Sequence, residues 1–244
     1  MELALEKATA DVRADLLELR GAILMRMDLP EEALRQFESA LTHRPGFERA
    51  IVGKATALSL LRRSKEALEI LESLEGVTGR QPTVKILEAK ATLLQAVGRT
   101  EESIVTMERA LAVQPASTSL LVNYGIGLAT VGRWEKALEQ FEVVLGRDPK
   151  HSLSLLMKSE VLVNLGQYLE AQKTLKEMLA LAPNDPGILF EKGRLLAKMG
   201  KFEEAERNIL RGISLSPQAE TSVQSLLDHI RHLKTAAPPR SSTS

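Results

Sequence analysis

Residues 118–151 read TSLLVNYGIGLATVGRWEKALEQFEVVLGRDPKH, and this stretch contains the pattern that decides the fold. Two segments with helix-like apolar periodicity are separated by Gly132, and Pro149 follows the second segment. Glycine favours the left-handed backbone conformation that ends a helix, and proline cannot continue one. The stretch therefore predicts a helix, a tight turn and a second helix, which together form a hairpin.

The same glycine and proline positions recur along the chain with a fixed period. Each series repeats every 34 residues, at Gly98, Gly132, Gly166 and Gly200 and at Pro115, Pro149, Pro183 and Pro217. Pro45 joins the second series if two residues are inserted, and the extra pair falls in the irregular stretch 75–81. A period of this length is the signature of a repeat architecture. We therefore expect six units within residues 14–219, namely 14–47, 48–83, 84–117, 118–151, 152–185 and 186–219.

The residues inside these units resemble the tetratricopeptide repeat (TPR). The unit that begins at Thr118 places the residue types of the family at Leu121, Gly125, Leu128, Ala137, Phe141 and Pro149. The second unit departs from the pattern, because Arg62 stands at the usual turn glycine. Small residues are needed where the two helices of a hairpin cross at about 8–10 Å. The resemblance covers residues 14–219 and implies an all-α fold, a right-handed α-solenoid of six TPR helical hairpins with a C-terminal capping helix.

The segments outside the six units have their own patterns. Residues 1–13 predict a partial helix of an incomplete N-terminal repeat, because 2–10 resemble the second helix of a hairpin. Residues 220–235 carry one apolar stripe and predict the capping helix, which covers the end of the apolar stack. Residues 236–244 are too polar and proline-rich to pack, so we expect a disordered tail.

Composition excludes several classes of function. Thirty-two basic residues balance thirty-two acidic ones, so no net field favours binding to nucleic acid. The chain has no cysteine, which excludes thiol chemistry and thiolate metal sites. No segment is apolar over the roughly 18–20 residues that a membrane helix needs, so we expect no membrane insertion and a cytoplasmic protein. No catalytic motif or nucleotide-binding motif occurs, so we expect no enzymatic activity and no cofactor.

The candidate site follows from the resemblance. Stacked TPR units present their first helices on an inner, concave wall, where family members bind peptides or partner helices. The candidate groove residues on this wall are Val52, Thr56, Thr92, Val122, Asn123, Ile126, Leu153, Leu156, Met157, Glu160 and Arg194. The middle of this wall is apolar, which predicts an apolar or amphipathic partner segment. The alternative interpretation is that some of these side chains pack between neighbouring helices as part of the core.

Two sharper site hypotheses find little support in the sequence. The clamp by which some TPR domains grip acidic chaperone tails needs Lys and Arg on the repeat after Asn123, where this chain has Leu153 and Met157. His229 and His232 are three residues apart, a spacing that can bind a metal but is more typical of a solvated helix face. We therefore expect no metal site.

The leading hypothesis is a non-enzymatic scaffold or adaptor that binds a protein or peptide partner in the concave groove. The alternatives are a self-associating structural solenoid, the TPR portion of a larger assembly or secretion factor, and an enzyme regulator or part of a TPR-bearing transferase. Residues 1–47 carry nine acids and six bases, whereas residues 186–244 carry six acids and nine bases. This asymmetry is the basis for a further hypothesis of weak head-to-tail self-association through an acidic N-terminal face.

Overall fold

The computed structural model describes residues 2–77 and 82–236. These residues form α-helices and one short 3-10 helix, and the described ranges contain no strand. The helices are α1 Glu2–Arg26, α2 Pro30–His43, α3 Glu48–Leu60, α4 Ser64–Val77, α5 Val84–Ala96, α6 Thr100–Val113, α7 Thr118–Thr130, α8 Trp134–Arg147, α9 Ser152–Asn164, α10 Tyr168–Leu181, α11 Pro186–Lys198, α12 Phe202–Leu215 and α13 Glu220–Ala236. The predicted all-helical repeat fold with a terminal capping helix is confirmed.

The repeat is visible in the helix lengths. From α3 to α12, first helices of 13 residues alternate with second helices of 14 residues. Helix α1 differs, because it continues without interruption over 25 residues from Glu2 to Arg26. The boundary expected between a partial helix 1–13 and a first unit at Ala14 is therefore not a break in the backbone. The reason is local, since residues 2–26 contain no proline and no glycine before Gly21.

The turn inside each hairpin needs one residue with positive φ. Gly98, Gly132, Gly166 and Gly200 fill this position with φ between 71° and 80°. In the first two hairpins the position is taken by Asp28 and Arg62, at φ 59° and 63°. A non-glycine residue is strained there by roughly 1–2 kcal/mol. The hydrogen bonds of the turn are nevertheless kept, since the Arg63 amide donates to the Leu58 carbonyl at 2.8 Å.

The helices fall into two compact units, the first with α1–α7 and the second with α8–α13. In the first unit Phe37 of α2 is 2% exposed, and its ring lies against both Gly21 of α1 and Gly53 of α3. One aromatic side chain thus joins three helices at the positions where glycine leaves room for it. This is the packing that the small residues of the repeat pattern predict.

In the second unit the final helix covers the last hairpin. Leu227 and Ile230 of α13 are buried together with Ile209 of α12. Glu206 of α12 accepts hydrogen bonds from Arg231 at 2.8 Å and Lys234 at 3.2 Å, and these contacts lower the pKa of its carboxyl. Helix α13 therefore has the apolar inner side and charged outer side expected of the capping helix. The predicted tail 236–244 lies outside the described residues except for Ala236, which ends α13.

Candidate functional site

The predicted groove residues lie on first helices and divide between the two units. The first unit contains Val52 and Thr56 on α3, Thr92 on α5, and three residues on α7, which are Val122, Asn123 and Ile126. The second unit contains Leu153, Leu156, Met157 and Glu160 on α9 and Arg194 on α11. Each unit has a cleft on this set of helices, and the two clefts differ in chemistry.

The cleft of the first unit lies between α3 and α5 and has a volume of about 290 Å³. It brings together four of the predicted residues, Val52, Thr56, Thr92 and Asn123. Both threonine hydroxyls already donate at 2.9 Å to a carbonyl four residues back in their own helix. The side-chain amide of Asn123 has no partner among the described residues, so it can donate to and accept from an incoming peptide backbone.

Two predicted residues of α7 do not line this cleft. Val122 is 3% exposed and belongs to the core, as the alternative interpretation of the sequence anticipated. Ile126 is half-buried. The repeat position alone does not decide this, because Val52 and Leu156 hold the position of Val122 and line the two clefts; the packing around α7 does. The choice of Val122 as a groove residue is therefore wrong.

The groove of the second unit follows the contact between α9 and α11. Its wider, apolar end has a volume of about 420 Å³ and includes the predicted Leu153 and Leu156. Its narrower end, about 100 Å³, includes the predicted Glu160 and Arg194. Glu191 of α11 borders both ends, so they form one groove with an apolar half and a charged half. We call this the α9/α11 groove. Met157 is half-buried and lines neither end.

Second-helix residues complete the apolar end, and the sequence analysis missed them. Met178 and Leu181 of α10 line it, and Leu181 is 48% exposed. Leu153 of α9, which is 45% exposed, lies at the same end. The family pattern assigns the concave wall to first helices only. In this structure the C-terminal end of the second helix α10 also lines the groove. An exposed leucine in the last turn of a predicted second helix is the signal that could have found it.

Glu191 is the charged group at the junction of the two halves. Burial raises the pKa of its carboxyl above the ordinary value, nearby Arg194 opposes this shift, and Glu160 adds to it. The Arg194 guanidinium lies 3.1 Å from the Glu191 carboxylate. The Glu191 side chain is only 31% exposed, and this one ion pair offsets only part of the cost of removing its carboxylate from water. A cation from a partner would therefore find an acceptor that is already poorly solvated.

We expect Glu191→Gln to raise the free energy of unfolding at pH 7. A carboxyl whose pKa is higher in the folded state favours folding below its unfolded pKa and loses that contribution as the pH rises through the folded value. The stability difference between variant and wild type should therefore be small below about pH 4, grow as the pH rises, and then level off. Urea unfolding monitored by circular dichroism at a series of pH values measures it. Glu203→Gln, an exposed acid in the first turn of α12, is the matched control. If the stability difference between Glu191→Gln and wild type does not change with pH, the pKa of Glu191 is not raised in the folded state.

The described residues offer little else that could perform chemistry. Among residues 2–77 and 82–236 no three His, Cys, Asp or Glu side chains converge as a metal site would require. His229 and His232 are both exposed on α13. Within the same ranges no helix combines the length and the apolar content needed to cross a lipid bilayer. Of the predicted groove, the two clefts are thus the parts with recognisable binding character.

Comparison with known families assigns the repeat. Sequence models described as "Tetratricopeptide repeat" match residues 88–152 and 162–230, which together are more than half of the chain. A comparison with curated protein sequences finds no match.

Solved structures with the same fold come from proteins of different functions. The APC/C hetero-tetramer Cut9-Hcn1 matches with a TM-score of 0.74 and 17% identity, over 94% of this chain but only 45% of that chain. PilW, described as a widely conserved type IV pilus biogenesis factor, matches with a TM-score of 0.73 and 18% identity, over 91% of this chain and 97% of that one. PilF of Pseudomonas aeruginosa matches with a TM-score of 0.71 and 18% identity, over 89% and 99% of the two chains. At these identities the likeness concerns the fold.

Proposed function

Because the chain belongs to the tetratricopeptide repeat family, we propose that it is a non-enzymatic interaction scaffold or adaptor that binds a segment of a partner protein in the α9/α11 groove. The repeat fold supports a role in protein–protein interaction. The observation that carries the choice of site is the pair of half-exposed leucines, Leu153 and Leu181, beside a cavity of about 420 Å³. Apolar side chains left in water at the edge of a cavity favour binding when a partner covers them.

The groove also indicates what kind of segment fits. Its apolar end suits one or two large aliphatic or aromatic side chains, since the large apolar residues around it are Leu153, Leu155, Leu156, Met178, Leu181 and Ile188. Its charged end has Glu191 at the junction and Lys198 further along α11. We therefore propose an amphipathic segment with an apolar anchor and a basic residue that contacts Glu191. The cleft between α3 and α5 is a second peptide-binding candidate, supported by the free amide of Asn123.

Two other candidate functions have specific support. The Cut9-Hcn1 structure that the chain resembles is a hetero-tetramer, which favours a role as the TPR portion of a larger assembly. PilW, a pilus biogenesis factor by its description, has nearly the same length, which favours an assembly or secretion factor. In both cases the α9/α11 groove would bind a segment of another protein of the assembly. The cytoplasmic location and the weak self-association expected from the sequence stay predictions.

We expect Leu153→Glu and Leu181→Glu each to weaken partner binding at the α9/α11 groove. Each substitution puts a charge at the apolar end, and loss of an apolar anchor costs about 10-fold or more in affinity. Affinity enrichment from the source lysate with quantitative mass spectrometry identifies the partner, and titration of its synthetic segment against the full chain measures the dissociation constant. Leu169→Glu is the control, because Leu169 is also a leucine of α10 and is 75% exposed away from the groove.

Two outcomes contradict this function. The first is equal enrichment of every protein by wild type and by the Leu153→Glu variant, with circular dichroism showing both folded. The second is a partner segment that loses affinity for Val52 or Asn123 variants but not for Leu153 or Leu181 variants, which would place recognition in the cleft between α3 and α5.

A further inference from the structure

Helix α1 exposes an apolar stripe to solvent. Its members are Val12, Leu16, Leu19 and Ile23, with exposed fractions of 58%, 62%, 55% and 49%, and Met27, which is 62% exposed, directly follows the helix. The spacing of three or four residues puts the four helical members on one side of the helix. A contiguous row of half-exposed large apolar side chains on a water-facing helix indicates an interaction surface.

In the other repeats the corresponding surface of the first helix is covered by the second helix of the preceding hairpin. Leu16 corresponds, by the repeat period, to residues that are all buried in the later first helices: Ala50, Ile86, Leu120, Ser154 and Ile188. Ile23 corresponds to another set that is buried throughout: Ala57, Leu93, Gly127, Val161 and Leu195. In the first unit α2 packs on α3, α4 on α5 and α6 on α7. The α1 stripe is therefore the docking surface for a helix of the same kind, and the described part of the chain supplies none.

A recurring polar contact indicates that a helix covering this surface carries a glutamate at a fixed position. Three first helices each pair one residue with a glutamate of the preceding second helix. The pairs are Lys54 with Glu38 at 3.0 Å, Tyr124 with Glu108 at 2.8 Å, and Lys158 with Glu142 at 2.9 Å. Each glutamate directly follows a buried large apolar residue, Phe37, Met107 or Phe141.

Arg20 is the equivalent of Lys54, Tyr124 and Lys158 on α1. Among the described residues neither Arg20 nor its neighbour on the same edge, Arg13, has a carboxylate partner. The acids of α1 whose side chains are described are already engaged: Arg44 lies 3.8 Å from Asp11 and 2.6 Å from Asp15, and Arg49 lies 3.6 Å from Glu18. Among the described side chains, the unpaired charge beside the stripe is therefore positive.

We propose that the exposed face of α1 binds an amphipathic helix of another protein, in the register in which α8 covers α9, since α9 has the large Met157 at the repeat position of Leu19. The bound helix carries a large apolar residue that packs on the Leu16–Ile23 stripe, followed directly by a glutamate that pairs with Arg20. A second copy of this chain does not offer such a helix, because Phe37, Met107 and Phe141 are buried within their own units. This surface is separate from the α9/α11 groove, so either proposal stands if the other fails.

A helix copied from the protein itself tests this register. The probe is a fluorescent, helix-stabilised peptide with the sequence of residues 134–147, WEKALEQFEVVLGR, because an unrestrained helix of this length is marginal in water. Titration with the full chain, followed by fluorescence anisotropy, should show saturable binding. Leu16→Glu and Ile23→Glu in the protein should each weaken it by about 10-fold or more. Both residues are half-exposed, so circular dichroism should show both variants folded. Leu169→Glu, an exposed leucine far along the chain, should bind as wild type does.

A charge exchange tests the glutamate. Arg20→Glu should weaken the binding of the probe by about 2- to 5-fold, and a probe with lysine in place of Glu142 should restore the affinity of that variant. The proposal is overturned if the probe does not saturate, if Ile23→Glu binds as wild type does, or if the lysine probe gives no rescue. It is also overturned if the wild-type chain alone forms a dimer by sedimentation equilibrium that Ile23→Glu dissociates, since a second copy would then occupy the face.

Discussion

Replacing Gly193 by leucine is expected to lower the free energy of unfolding by about 3 kcal/mol. Gly193 lies in α11, where a Cβ atom would stand 2.5 Å from Ile209 Cδ1 and 3.2 Å from the backbone oxygen of Ala205, both on α12. The isoleucine side chain can rotate, but the Ala205 carbonyl is fixed by its helix. The larger side chain must therefore push α11 and α12 apart, which also loosens the buried contacts of Leu196 and Ile209.

The control for this effect is a glycine of the same unit with free space around it. Gly146 lies in the last turn of α8, and a Cβ atom there would meet nothing within 4 Å. Gly146→Leu should be neutral or stabilise by up to about 1 kcal/mol, because leucine is a better helix former than glycine. Urea unfolding of both variants, monitored by circular dichroism at 222 nm, makes the comparison. If both substitutions lower the free energy of unfolding equally, the close approach of α11 and α12 is not the reason that position 193 requires glycine.

Phe37→Ala is expected to cost about 3–5 kcal/mol in the free energy of unfolding, the range for deleting a fully buried aromatic ring. The ring is 2% exposed and lies between α1 and α3, so its removal leaves a cavity that three helices share. Leu169→Ala, at a side chain that is 75% exposed, should change stability by less than about 0.5 kcal/mol. Chemical unfolding monitored by circular dichroism measures both.

A second substitution tests the cause of that loss. A Cβ atom on Gly53 would lie 2.5 Å from the Phe37 ring, so Gly53→Ala should destabilise the wild type. In the Phe37→Ala background the obstacle is gone, and the same substitution should stabilise by up to about 1 kcal/mol through helix propensity. The sign of the effect should therefore reverse. If Gly53→Ala has the same sign in both backgrounds, the Phe37 ring is not what limits the space at this position.

Much of the fold could be predicted from the sequence, because the repeat is fixed by residues with strict local requirements. Gly132 and Pro149 each impose a backbone conformation, so their 34-residue period translates directly into hairpins. The beginning of the chain could not be predicted in the same way. Resemblance to a second helix suggested a break before Ala14, but no residue there stops a helix, and α1 continues through it.

The candidate site was only partly predictable, because side-chain exposure depends on the neighbouring hairpins. Thr56, Thr92 and Leu153 were found by their place in the repeat, and they lie at the clefts. Val122 follows the same rule but is buried, since packing on one side of α7 decides its exposure. Leu181 was missed because it comes from a second helix. Arg20 could not be identified as unpaired, since the sequence does not show that Asp11, Asp15 and Glu18 are engaged by Arg44 and Arg49.

The order of helix contacts has a consequence for how the chain folds. Within each described unit, helices with extensive contacts lie at most two helices apart along the chain, as α3 and α5 do. No native contact of this kind requires a long loop to close, and low contact order is associated with fast folding. Structure can begin at any well-packed hairpin and extend one helix at a time. Duplicating a 34-residue segment would therefore lengthen the protein without slowing the search for any single contact.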